Sequence, residues 1–203
     1  DLADLKQLQV ELANVRKQGQ ETSSSLTSAF AGVAKVFGAL KLKGVFDSAV
    51  ADARNLERTV LGLQATARLT GNNFRELNKQ VQDLASDGVL SIDRASQSMK
   101  VLLAQGLAAN KAFELIDAAK KVGSFNNIVG DTGQSVQDFI KFLQTGSAEL
   151  AENLDPSLVK VVKSLGGYEK VANNAAAKQQ LINAVIAKGK SLTEDYAKFL
   201  DSG

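Results

Sequence analysis

Residues 72–122 read NNFRELNKQVQDLASDGVLSIDRASQSMKVLLAQGLAANKAFELIDAAKKV and decide the fold. Gly88 and Gly106 divide this stretch into three segments, and apolar residues recur in each at steps of three and four positions, which is the period of one helical face. The apolar stripes are Phe74, Leu77, Val81 and Leu84, then Ile92, Ala95, Met99 and Leu102, then Ala112, Leu115, Ile116, Ala119 and Val122. Because short stripes cannot bury themselves alone, the three helices must pack on one another.

Polar residues predict where these helices begin. Asn73 is a candidate N-cap with Glu76 three residues later, and Ser91 is a candidate N-cap with Asp93 in the first turn, where the helix dipole favours an acid. The two glycines end the first two helices, since glycine tolerates the left-handed conformation of a helix terminus. The pattern predicts that the third helix ends at Gly123.

Composition extends this reading to the whole chain. The 203 residues are 44% hydrophobic, with one proline against sixteen glycines, and apolar residues nowhere alternate with polar ones over a long run, as strands would require. We therefore predict an all-α fold, a compact multi-helix bundle of short helices punctuated by glycine. We expect a long helical segment, residues 1–44, to precede the bundle domain, residues 45–203.

The charge balance and the missing residue types exclude several function classes. Net charge is +2 with interspersed signs, so we expect no specific nucleic-acid binding. The chain has neither cysteine nor histidine, which removes the thiolate metal sites and the commonest general base. We expect no cofactor, no metal site and no enzymatic activity.

The first segment carries a heptad pattern. The candidate oligomer seam is Leu5, Leu8, Leu12, Val15, Leu26, Val33, Val36 and Leu40. Its frame is interrupted at Gly19 and Thr22 and then resumes. Two interpretations stay open: a homo-oligomeric coiled coil, with a trimer as the expected state, or an amphipathic helix that lies on the bundle. Because the chain opens with Asp1 in the middle of a helical pattern, we expect it to be part of a longer polypeptide.

Residues 22–34 form the longest uncharged run, and Lys35, Lys41 and Lys43 follow it. Thirteen residues are too few for a membrane span, which needs about 20. The segment from Leu26 to Val45 suits either a helix packed against protein or an interfacial helix that contacts a bilayer, and flotation with liposomes separates the two.

Further helices are predicted along the remaining chain. One long helix covers residues 46–69, another begins at Ser135 and ends at Gly146, and Asp155-Pro156 begins a third. Residues 174–188 form a helix followed by Gly189. The spacing of Ser191 and Glu194 predicts a capping box for the last helix.

Two acidic features could in principle form a catalytic or a metal site. Asp131-Thr132-Gly133 matches the aspartic protease tripeptide, but it lies between helical patterns, which favours a polar loop leading to a cap at Ser135. The carboxylates of Asp83, Asp87 and Asp93 could meet at the Gly88 turn and bind a hard cation, although six to eight oxygen ligands are not visible and a solvated turn is favoured.

The order of these signals resembles the N-terminal conserved region of tail tape measure proteins from long-tailed bacteriophages and prophages. The resemblance covers roughly residues 45–200, and the chain departs from it at Leu154-Asp155-Pro156, where many relatives read glycine-isoleucine. The matching segments are GNNFREL at 71–77, LASDG at 84–88, SIDRA at 91–95, LLAQG at 102–106, AFEL at 112–115, GQS at 133–135 and AVIAKG at 184–189.

The resemblance implies a structural virion protein inside the tail tube, made in the host cytoplasm during assembly. Such proteins set tail length and leave ahead of the genome at ejection. The implied partners are tail tube subunits, tail tip proteins and assembly chaperones. An alternative is a membrane-interacting helical segment that aids DNA passage through the cell envelope.

Overall fold

The computed structural model describes residues 43–126 and 130–201, and for residues 43–56 it describes the helical backbone alone. Ten α-helices and no strand occur in these ranges, which confirms the all-α prediction. The helices are α1 (Lys43–Thr70), α2 (Phe74–Ala85), α3 (Ile92–Ala104), α4 (Ala109–Asn126), α5 (Thr132–Thr145), α6 (Ala148–Glu152), α7 (Leu158–Ser164), α8 (Tyr168–Asn173), α9 (Ala175–Ser191) and α10 (Thr193–Asp201).

The chain divides into two units, residues 1–57 and 58–203. The described part of the first unit is the helical backbone of residues 43–57, and the second unit is the helical bundle. The expected seam residues, from Leu5 to Leu40, lie outside the described residues, as does the whole uncharged run, residues 22–34. The boundary after residue 44 and the oligomer therefore stay predictions.

The predicted three-helix arrangement of α2, α3 and α4 is present. Its apolar stripes are almost wholly buried, although Ile92 is exposed at the start of α3 and Phe74 is only partly buried. Asn73 accepts hydrogen bonds from the backbone amides of Arg75 and Glu76, and Ser91 accepts one from the amide of Arg94. Both predicted N-caps are thereby confirmed.

Helices α4 and α9 make the most extensive helix–helix contact of the bundle. Their crossing is close because Gly189 of α9 faces Ala118 of α4. A Cβ atom added to Gly189 would stand inside van der Waals contact with the Cα and Cβ atoms of Ala118, and 2.9 Å from its carbonyl oxygen. Around this pair, α2, α3, α5 and α10 also pack against α4.

Two predicted helix ends are wrong, because the glycines there lie inside a helix and allow a neighbouring segment to pack closely against it. Helix α4 continues through Gly123 to Asn126, and a Cβ added to Gly123 would lie 3.2 Å from the Leu154 side chain. Helix α9 likewise continues past Gly189 to Ser191. Where glycine does end a helix, as at Gly88, Gly106 and Gly146, its φ angle is positive.

Three predicted helix starts also need correction. Helix α5 begins at Thr132 with Asp131 as its N-cap, whereas Ser135 is buried inside the helix and its hydroxyl donates to the Asp131 carbonyl. Ser191 is the last residue of α9, and its hydroxyl donates to the Lys188 carbonyl, so the predicted capping box with Glu194 does not form.

The third correction concerns Asp155-Pro156. Helix α7 begins two residues after the proline, at Leu158. A short turn leads into it, in which the Leu158 amide donates to the Asp155 carbonyl and the Val159 amide donates to the Pro156 carbonyl. These i→i+3 bonds are the tighter 3₁₀ pattern that commonly leads into a helix.

Candidate functional site

Three aspartates at helix boundaries form the most organised polar features of the bundle. Asp87 lies in the turn after α2, Asp131 caps α5, and Asp155 precedes α7. Each carboxylate receives a cationic side chain from a helix at least 33 residues away along the chain. Two of them, Asp87 and Asp131, are among the residues that the sequence suggested for chemistry.

Asp87 is the centre of the most buried cluster. Its Oδ2 atom accepts hydrogen bonds from Lys120 Nζ at 2.5 Å and from the Tyr196 hydroxyl at 2.8 Å, while its Oδ1 atom accepts one from the Val89 amide. Lys120 is 3% exposed, and it also donates to the Leu84 carbonyl at 3.0 Å. The cluster therefore joins the α2–α3 turn to α4 and α10.

Electrostatics favour the charged form of Asp87 and the neutral form of Tyr196. Burial raises the pKa of Asp87, but the hydrogen bonds from Lys120, Tyr196 and Val89 outweigh it and leave that pKa below its usual value. Burial, together with the hydrogen bond to the Asp87 carboxylate, raises the pKa of Tyr196 far above its ordinary range. At neutral pH the tyrosine is therefore a fixed donor and the aspartate a fixed acceptor.

Asp155 forms a second ion pair, in which the carboxylate is buried and the lysine is partly exposed. It is 2% exposed and is contacted by Lys188 Nζ, which comes from α9 and also donates to the Ser157 hydroxyl at 2.8 Å. The Ser157 amide and hydroxyl donate to Asp155 at 2.9 and 2.8 Å. Burial raises the pKa of Asp155, and the bonds from Lys188 and Ser157 more than offset this, so the pKa is lowered. The pair fastens the loop before α7 to α9.

Asp131 forms the most exposed of the three pairs. Its Oδ1 atom accepts from Arg94 Nη1 of α3 at 2.5 Å and from the Gln134 amide at 3.1 Å. These two bonds lower the pKa of Asp131. The Arg94 side chain lies directly over the backbone of Gly133, where a Cβ atom would collide with it. The supposed protease tripeptide is thus the first turn of a helix that is clamped by an arginine.

Asp138 is a buried carboxylate that the sequence did not single out as buried. It is 7% exposed, and its oxygens accept hydrogen bonds from Gln134 Nε2 and Asn153 Nδ2, both at 2.8 Å. A helix that began at Ser135, as predicted, would have Asp138 in its first turn. Since α5 starts earlier, Asp138 lies deeper in the helix and faces α6.

The carboxylates considered as a cation site do not converge, in agreement with the solvated turn that the sequence favoured. Asp87 is occupied by Lys120 and Tyr196, whereas Asp93 accepts a hydrogen bond from Thr59 of α1 at 2.5 Å. In the ranges that the structure describes, no three acidic side chains gather in a way that could hold a metal ion. A shallow open depression borders Gly166 and Lys170, and none of the three aspartate pairs described above lines it.

Sequence reasoning missed Lys120 and Tyr196, and it also missed Arg94 and Lys188, the cationic partners of Asp131 and Asp155. One signal was present for Lys120, because it follows Ile116 by four positions and therefore shares the apolar stripe of α4. A lysine on such a stripe needs a partner, since an unpaired buried charge is very costly. Tyr196 lies 109 residues from Asp87, and no local pattern connects them.

Neither a membrane span within the described residues nor a similar known protein was found. None of the helices in these ranges combines the length and the apolar character that crossing a bilayer requires. Comparisons of the chain with protein-family models, with curated proteins and with solved structures found no match.

Proposed function

We propose that this chain is a structural module of a phage tail tape measure protein, and that it acts by shape and length rather than by catalysis. The observation that carries the proposal is the position of the glycines. Gly71, Gly88 and Gly106, which belong to three of the resembling segments, all adopt positive φ at the end of a helix. At these three positions the helix punctuation on which the resemblance draws is punctuation in the fold as well, whereas Gly133 and Gly189 of two other resembling segments lie inside helices.

The use of the acidic residues supports the same proposal. Asp87, Asp131 and Asp155 each carry a compensating cation from another helix. A carboxylate that is committed in this way stabilises packing and leaves little freedom for a substrate. The proposed partners are the tail tube subunits, the tail tip proteins and the assembly chaperones, and the proposed location is the tail tube of the virion.

A length experiment tests the proposal in the phage or prophage that encodes the chain. An insertion of about 70 helical residues between Gln18 and Gly19 adds about 105 Å of helix at 1.5 Å per residue. If the chain belongs to the ruler, tails measured by electron microscopy lengthen by about that amount. The control carries substitutions at the same junction without any change of length, and its tails keep the parental length.

Two results would contradict the proposal. One is a tail of unchanged length in particles that contain the lengthened chain. The other is the absence of the chain from purified tails, measured by peptide mass spectrometry on parental particles.

A further inference from the structure

Helix α10 is attached to the bundle by a small contact surface. Among its nine residues only Tyr196 is buried, while Phe199 and Leu200 are substantially exposed. Its contacts with α4 and α9 are among the least extensive between helices in the bundle. A helix of this length is not stable on its own in water, so its structure depends on how it is docked.

The docking is concentrated at one side chain. The Tyr196 hydroxyl donates to Asp87 Oδ2 at 2.8 Å, and Lys120 Nζ lies 5.7 Å from the centre of the tyrosine ring. The same ring stacks on Phe199, and Phe199 makes an edge contact with Phe125 of α4 at 5.6 Å between ring centroids. A further tie to α4, from Lys121 Nζ to the Thr193 hydroxyl, is long at 3.5 Å.

The ion pair beneath α10 does not depend on it. With α10 removed, Asp87 would keep Lys120 and the Val89 amide, and Lys120 would keep the Leu84 carbonyl. The core helices α4 and α9 hold each other through their own extensive contact. The loss of α10 therefore leaves no buried charge without a partner and opens no gap between the core helices.

We propose that α10 is a detachable cap that opens as a unit while the other helices stay packed, and that Tyr196 is its lock. Opening exposes the Asp87–Lys120 pair and the aromatic side chains Phe125, Tyr196 and Phe199. Cooperative opening of a peripheral element below the energy of global unfolding is a general property of proteins. The cap is a feature of the bundle itself and does not require that the chain be a tail protein.

Native-state hydrogen exchange on the 203-residue chain tests the cap. Under conditions where exchange reports the opening equilibrium, amides in α10 exchange about 100-fold faster than the interior amides of α4 and α9. Their rate rises little with low concentrations of urea, because opening one short helix exposes little surface. Equal rates in α10 and α4, with equal dependence on urea, would overturn the proposal.

Two variants separate the cap from global unfolding. Ile182→Val, in the buried face of α9 about three turns before α10 begins, speeds the interior amides of α4 and α9 by about fivefold and leaves the α10 amides unchanged. Tyr196→Phe keeps the ring and removes the hydroxyl, and it speeds the α10 amides by about tenfold. An α10 that responds to Ile182→Val as the core does, or that ignores Tyr196→Phe, refutes the cap.

Discussion

The close crossing of α4 and α9 makes a sharp prediction for Gly189→Ala. The added Cβ atom meets the Cα, Cβ and carbonyl oxygen of Ala118. Ala118 and Gly189 are both buried, and the backbone of Ala118 belongs to α4. No rotamer change can relieve this contact, so α4 and α9 must move apart along their shared face.

The size of the effect follows from two opposing terms. Alanine is favoured over glycine in a helix interior by about 1 kcal/mol. Overpacking a filled interior costs about 1–3 kcal/mol, and a contact with backbone belongs at the upper end of that range. We therefore expect Gly189→Ala to lower the free energy of unfolding by about 1–2 kcal/mol. In a domain of this size, each kcal/mol lowers Tm by roughly 2–4 °C.

Gly62→Ala provides the matched control. Gly62 also lies inside a helix, but the nearest atom to an added Cβ is Lys100 Nζ at 3.0 Å, the mobile end of a long side chain. This variant should gain up to about 1 kcal/mol from helix propensity. Urea unfolding followed by tyrosine fluorescence measures both variants, because the only two tyrosines of the chain, Tyr168 and Tyr196, lie in the bundle. A Gly189→Ala protein as stable as the parent, beside a stabilised Gly62→Ala protein, would refute the close crossing.

Three further predictions concern the ion pairs and the first segment. Lys188→Met leaves the buried Asp155 with Ser157 alone and should lower the free energy of unfolding in urea by about 2 kcal/mol. The control, Lys190→Met, removes an exposed pair with Glu114 and should cost under about 0.5 kcal/mol. Equal costs for the two variants would argue against a stabilising pair between Lys188 and the buried Asp155. The pKa values of the three boundary aspartates are lowered in the folded protein relative to a free aspartate, so their stabilisation is present above about pH 4 and is lost as the pH falls through the lowered values. The urea midpoint should accordingly hold from about pH 7 to 5 and then fall, and a midpoint that rises below about pH 4 would contradict this sign. Sedimentation of the chain with and without residues 1–44 should show an oligomer, expected as a trimer, only when that segment is present, and identical monomer masses would remove the coiled coil.

Local chemistry made part of the fold predictable. Asn73 and Ser91 were recognisable as caps because the interactions that cap a helix lie within three residues. The apolar stripes of α2 to α4 were likewise readable, since a helical face is a property of consecutive residues. The all-α class followed from these patterns.

The remaining features depend on residues that are distant along the chain. The sequence predicted Ser135 as the cap, but Asp131 caps the helix and pairs with Arg94, which lies 37 residues earlier. Gly88 and Gly189 have different roles although they are the same residue type. Gly88 ends a helix, whereas Gly189 lets α4 pack closely against α9. The lock between Asp87 and Tyr196 spans 109 residues, so it becomes visible only once α2, α4 and α10 are placed together.

A double-mutant cycle at Asp87 and Lys120 tests most directly whether the boundary aspartates hold the bundle together. The free energy of unfolding is measured for the parent, Asp87→Asn, Lys120→Met and the double variant. We predict that each single variant is strongly destabilised and that the coupling energy between the two is about 2–3 kcal/mol, because the pair is buried. Single variants within about 0.5 kcal/mol of the parent, with a coupling energy near zero, would contradict a structural role for Asp87.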